Sequence, residues 1–171
     1  PRAAWSSISR RPEFKKSGIY ILIGTAEGTD EDFPTIYVGQ GDQIGKRIER
    51  HSIEKDFWDW GYAFVSRADT LNRAHITWLE HALMEKAKKA GRCSFDNANQ
   101  PREPNLSESE RADVAGFLRQ ILRILPILGV RVFEKTVAIV PEPFESGGDA
   151  TARTPTGSRD TIVVPAQEEG F

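Results

Sequence analysis

Two short runs, Gly18-Ile19-Tyr20-Ile21-Leu22-Ile23 and Ile36-Tyr37-Val38-Gly39, constrain this chain more than any other stretch. Both are rich in aliphatic side chains, and both alternate with the period of a half-buried strand. The connection from Gly24 to Pro34 is short, acidic and turn-prone, so the simplest arrangement is an antiparallel hairpin. Alternation sends Ile19, Ile21 and Ile23 to one face and Tyr20 and Leu22 to the other; on the partner strand Tyr37 points away from Ile36 and Val38. Each strand thus offers one phenol on the face opposite its aliphatic row. Tyrosine is a good strand residue in its own right, so the phenols alone carry no chemistry.

Downstream, Gln40-Gly41-Asp42 reads as a turn whose Asp42 caps a helix, with Ile44 and Ile48 facing the core one turn apart. Arg47 and His51 share an i,i+4 face, and Lys46 and Arg50 form a second basic pair. Phe57 to Ser66 is dense in aromatic residues and its later part reads as a third strand; such a run is either core or a base-stacking platform, and core is the commoner use. A helix over 72–90 carries the apolar stripe Ile76, Leu79, Leu83, Met84 and Ala87, stopped by Gly91. Glu80 falls within or beside that stripe. A carboxylate there is costly unless it is paired, hydrogen-bonded or metal-bound; Arg73 and Lys86 are the local candidates for an ion pair. His75 and His81 face different sides, which argues against a two-histidine metal site on this helix. After the polar loop 95–101, Ser107 and Glu110 form a capping box that opens a helix with the stripe Val114, Phe117, Leu118, Ile121, Leu122 and Leu125, ended by Pro126 and Gly129. Val130 to Val140 suggests a strand or extended packing segment.

The 171 residues carry a formal net charge of -2, and 39% are hydrophobic, an ordinary figure for one domain with a core. Residues 141–171 are acidic and rich in Gly, Ser and Thr, leaving the body nearly neutral. Contact with a polyanion must therefore come from local placement of cations. One cysteine, Cys93, excludes an internal disulfide and any multi-cysteine metal site. No run is apolar enough to span a membrane and no signal peptide is visible, so a soluble, cytoplasmic protein is expected.

Gly18-Ile19-Tyr20, followed by Tyr37-Val38-Gly39, a downstream Arg47 and then Glu80, resembles the GIY-YIG endonuclease family over about residues 17 to 99. Lys55-Asp56-Phe57-Trp58, Asn72-Arg73-Ala74-His75 and Asp96-Asn97-Ala98-Asn99 with Pro101 are similar to a bacterial branch of uncharacterised GIY-YIG proteins with an added C-terminal domain. The resemblance implies a divalent-metal-dependent endonuclease that hydrolyses DNA, RNA not being excluded, to 5′-phosphate and 3′-hydroxyl ends. It implies catalytic roles for Tyr20, Tyr37, Arg47, His51, Glu80 and Asn97, with Asn99 the rival of Asn97. Glu80 would hold one Mg²⁺ or Mn²⁺. Arg47 would clamp the scissile phosphate, and Tyr20 would position or deprotonate the attacking water if Arg47 or the metal lowered its pKa. Tyr37 would orient water or phosphate, and His51 would assist or relay a proton. Gly39, Gln40, Lys46 and Arg50 are the expected substrate-binding positions.

The expected fold is α/β (α+β), a small central antiparallel/mixed three-stranded sheet flanked by helices, GIY-YIG nuclease-like. Residues 1–16 are read as a lead-in from a preceding module, 17–140 as the nuclease-like domain, and 141–171 as a flexible tail or linker to a missing C-terminal module. A nucleic-acid-binding or regulatory module with this fold and little catalysis is the competing expectation, and a structural interaction domain the third.

Overall fold

The computed structural model describes residues 1–26 and 33–135. Its centre is the expected hairpin: β1 (Gly18–Gly24) pairs antiparallel with β2 (Thr35–Gly41), with Tyr20 opposite Gly39 and Leu22 opposite Tyr37. β3 (Trp58–Val65) pairs antiparallel with the other edge of β1, placing Ala63 beside Tyr20. The sheet has four strands rather than three, in the order β3-β1-β2-β4. The addition, β4 (Ser94–Phe95), is only two residues long and runs parallel to β2, which makes the sheet mixed.

Both faces of this α+β sheet are covered. The aliphatic row Ile19, Ile21, Ile36 and Val38 is fully buried against α3 (Arg73–Ala90) and α4 (Glu108–Ile127), through Ile76, Leu79, Leu83, Leu118 and Ile121. The other face carries Tyr20 and Leu22 and packs against Ile44 and Ile48 of α2 (Ile44–Glu54), with Trp5 of the short helix α1 (Trp5–Ile8) and Trp58 completing the cluster. The N-terminal residues pack onto the sheet layer: Trp5 is buried with its ring edge-on to Phe14 at 4.9 Å, and Arg2 donates to the Ser52 carbonyl at 2.9 Å.

Helix ends follow local chemistry. Asn72 caps α3, accepting from the His75 amide at 2.9 Å, and the His75 ring returns the interaction to the Asn72 amide, completing a capping box; Gly91 ends the helix at φ 63°. Ser107 and Glu110 form the expected capping box of α4. Two expected caps differ. Asp42 does not cap α2, because its carboxylate pairs with Arg73 at 3.1 Å and Gln43 occupies the cap position without a side-chain bond. Pro126 does not end α4; it lies in the last turn, and the chain turns out at Gly129, whose φ is 83°. Val130 and Val132 are buried, but 130–135 form a turn rather than a strand, and 136–171 lie outside the described residues. No helix among the described residues is long and apolar enough to cross a membrane.

Candidate active site

The register of β1 and β2 brings the two phenols together on the face under α2. Tyr20 and Tyr37 stack with centroids 6.1 Å apart and planes inclined by 28°. Gly39 makes this possible: a Cβ at that position would lie 2.4 Å from the Tyr20 hydroxyl oxygen and 2.7 Å from Tyr37 Cε1. His51, one turn beyond Arg47 on α2, closes the cluster, with its ring 4.7 Å from Tyr37 and 6.0 Å from Tyr20. Trp58 fixes the end of that helix by donating its indole N–H to the His51 carbonyl at 3.1 Å.

The electrostatics of the cluster set its chemistry. The Tyr20 hydroxyl is fully buried without a well-formed hydrogen bond, while Arg47 and Tyr37 stand close enough to act on it. Burial raises its pKa well above the ordinary value, Tyr37 adds to the rise, and Arg47 opposes it without overcoming it. Of the two groups expected to lower this pKa, Arg47 acts in that direction but does not offset burial, so without a metal ion Tyr20 stays protonated at neutral pH. Burial disfavours the Arg47 cation, yet its interactions with both phenol oxygens leave the pKa of Arg47 raised. His51 is 3% exposed with both ring nitrogens unpartnered. Burial, then the charges of Lys55, Arg50 and Arg47, push its pKa down to about 4, so the imidazole is neutral.

Glu80 projects from α3 and is half-buried; burial raises its pKa to about 7 against the pull of Arg47. Arg73 is engaged by Asp42 instead, and among the described residues Glu80 has no hydrogen-bond or ion-pair partner. Arg47 is the residue whose charge acts both on the phenols and on Glu80. Asn97 anchors the loop after β4: its side chain accepts from the Val38 amide at 3.0 Å and donates to the Val38 carbonyl at 2.8 Å, extending the β2–β4 pairing by one side chain. Asn99 is exposed and makes no such bond among the described residues.

The expected substrate-binding positions are scattered. Gly39 is buried beneath Tyr20, so it supplies room rather than a surface. Gln40, opposite Ile19, falls on the aliphatic face of the sheet, and its side-chain oxygen is buried there without a partner. Lys46 lines a groove with Trp5, Phe14 and Lys15, and Arg50 pairs with Glu54 at 3.2 Å on the exposed side of α2.

Lys55 belongs to the cluster although its own sequence context gave it no role. Its ammonium lies 4.7 Å from the centroid of the Tyr37 ring and pairs with Asp96 in the loop after β4. Isolated charges 41 positions apart leave no local pattern, and only the parallel pairing of β4 with β2 brings them together.

No family model, curated protein or solved structure matches this chain.

Proposed function

We propose that this protein is a divalent-metal-dependent endonuclease of GIY-YIG type, cleaving DNA phosphodiester bonds to 5′-phosphate and 3′-hydroxyl ends. The observation that carries the reading is an Arg47 cation whose charge acts both on a stacked pair of phenols and on a half-buried carboxylate that lacks a hydrogen-bond or ion-pair partner among the described residues. A half-buried carboxylate without a hydrogen-bond or ion-pair partner is costly in a fold that has no ligand for it.

The residues present suit Mg²⁺ or Mn²⁺ held by a single carboxylate. Among the described residues no group of three His, Cys, Asp or Glu side chains gathers; Glu80 would be the single protein ligand, leaving the rest of the shell to water and phosphate oxygens. When bound, the ion supplies Lewis-acid stabilisation to the phosphate and the departing oxygen. Arg47 clamps a non-bridging phosphate oxygen and opposes the charge that builds as water attacks phosphorus and the bond to the 3′ oxygen breaks. Tyr20, protonated at neutral pH, donates a hydrogen bond rather than taking the water's proton. Tyr37 orients water or phosphate, with neutral His51 packed beside it as an assisting group.

The test is plasmid nicking: supercoiled DNA with the purified protein and Mg²⁺ or Mn²⁺, beside Glu80→Ala and Arg47→Ala. Loss of nicking in both variants is expected. Nicking that survives Glu80→Ala would remove the metal assignment, and binding without nicking by the wild type would favour the nucleic-acid-binding module.

A further inference from the structure

A second site lies at the far end of the sheet, on the face opposite the phenols. A groove of about 400 Å³ opens between the Ile23 end of β1, β3 and the turn after α4. Its walls are aromatic: Phe33 and Trp60 are 40% and 51% exposed, and Tyr62 stands beside them, tied to the Leu128 carbonyl at 3.4 Å. Trp60 leaves a large aromatic surface open to water on a strand in which only Trp58 is buried. Two cations, Arg92 and Arg131, complete the lining. Neither has an ion-pair partner among the described residues, and no acidic side chain among them lines the groove.

Flat aromatic walls with two guanidinium groups that lack an ion-pair partner among the described residues match a planar ring carrying negative charge nearby. We propose that this groove binds an unpaired nucleobase of a single strand, stacked on Trp60, with Arg92 and Arg131 on the adjoining phosphates. The volume lies in the range of sites for small planar ligands, and stacking of this kind tolerates any base. The inference rests on the nucleic-acid reading of the protein and adds the form of substrate: a strand unpaired at a distance from the cut.

The probe is fluorescein-labelled dT12 in EDTA, with binding read by anisotropy for the full chain, so that no cleavage enters. Trp60→Ala is expected to weaken binding about tenfold, and Trp60→Phe, which keeps a stacking ring, much less. The Arg92→Ala/Arg131→Ala double variant is expected to flatten the dependence of log affinity on log salt by about 1.4, the loss of two phosphate contacts on a single strand. No binding of dT12 by wild type, or binding unchanged in both Trp60→Ala and the arginine variant, overturns the proposal, while Glu80-dependent plasmid nicking would still support the nuclease. A dimer in sedimentation that Trp60→Ala dissociates would assign the groove to a second copy of the chain, and would likewise overturn it.

Discussion

Tyr20 lies directly across from Gly39, and its hydroxyl fills the space that a side chain at Gly39 would need. The motif glycine and the motif tyrosine are therefore two halves of one packing solution. The ring of Tyr20 folds over the bare backbone of β2, which sets its distance to Tyr37 and leaves both phenols under α2.

Gly39→Ala is expected to displace the Tyr20 ring, since the new methyl would sit 2.4 Å from its hydroxyl oxygen. Overpacking of a buried site costs about 1–3 kcal/mol. Chemical denaturation would give the loss of stability. Plasmid nicking should fall further than the folded fraction does, because the phenol itself moves. Full nicking by a folded Gly39→Ala protein would show that Tyr20 need not occupy this position.

Asn97 acts on β2 through its backbone. Asn97→Ala leaves the Val38 N–H and C=O without their partners at 3.0 and 2.8 Å, at an expected cost of about 1–3 kcal/mol in urea unfolding. Asn97→Asp keeps the shape but cannot donate to the Val38 carbonyl, so it should be no better than alanine at neutral pH. If aspartate proved as stable as asparagine, the bond to the carbonyl would carry no weight.

How far the fold could be read beforehand depended on the range of the signal. Period-two alternation places β1 and β2 and puts the phenols on one face, and the Ser107–Glu110 box and Gly91 mark helix ends, because those signals span four residues or fewer of the chain. β4 is not legible because two residues carry no period, and the family resemblance points to Asn97 without revealing that its side chain continues the β2–β4 pairing. The partners of charged groups were not legible at all: Asp42 has a good local use as a cap, but Arg73 on α3 competes for it and wins. For the same reason no sequence signal singles out Lys55 over Lys46 and Arg50. Their sequence neighbourhoods are alike, and only the packing of α2 decides which cation turns toward Tyr37. Burial of Tyr20, which outweighs the pull of Arg47, is likewise a tertiary property.

Stability should depend on pH through two groups of opposite sign. His51 has a folded pKa of about 4 against an ordinary 6.5, so the unfolded chain takes up a proton that the folded one refuses. Its contribution is fully present above 6.5 and is lost as pH falls toward 4, at most about 3 kcal/mol. Glu80 has a folded pKa of about 7 against 4.5, so its contribution is present below 4.5 and is lost as pH rises through 7. Between 4.5 and 6.5 the two slopes oppose each other. Urea unfolding of Glu80→Gln across that range should rise with pH, and that of His51→Phe should fall. Lys55→Met, by removing the second cause of the His51 shift, should raise the pKa of its imidazole, read by NMR. Parallel pH profiles for Glu80→Gln and His51→Phe would contradict both assignments.

Metal binding should follow the ionisation of Glu80. With a pKa of about 7, roughly a tenth of this carboxyl is ionised at pH 6 and nine-tenths at pH 8. A cation that needs the carboxylate must displace the proton, so apparent Mn²⁺ affinity, followed by electron paramagnetic resonance of the free ion, should be about tenfold higher at pH 8 than at pH 6. Each bound ion should release a proton near pH 6, detectable as a buffer-dependent enthalpy in calorimetry. Glu80→Gln should remove both effects, and Arg47→Ala should shift the midpoint upward, since its charge is what holds the Glu80 pKa down. Mn²⁺ binding with equal affinity at both pH values would place the ion on some other group.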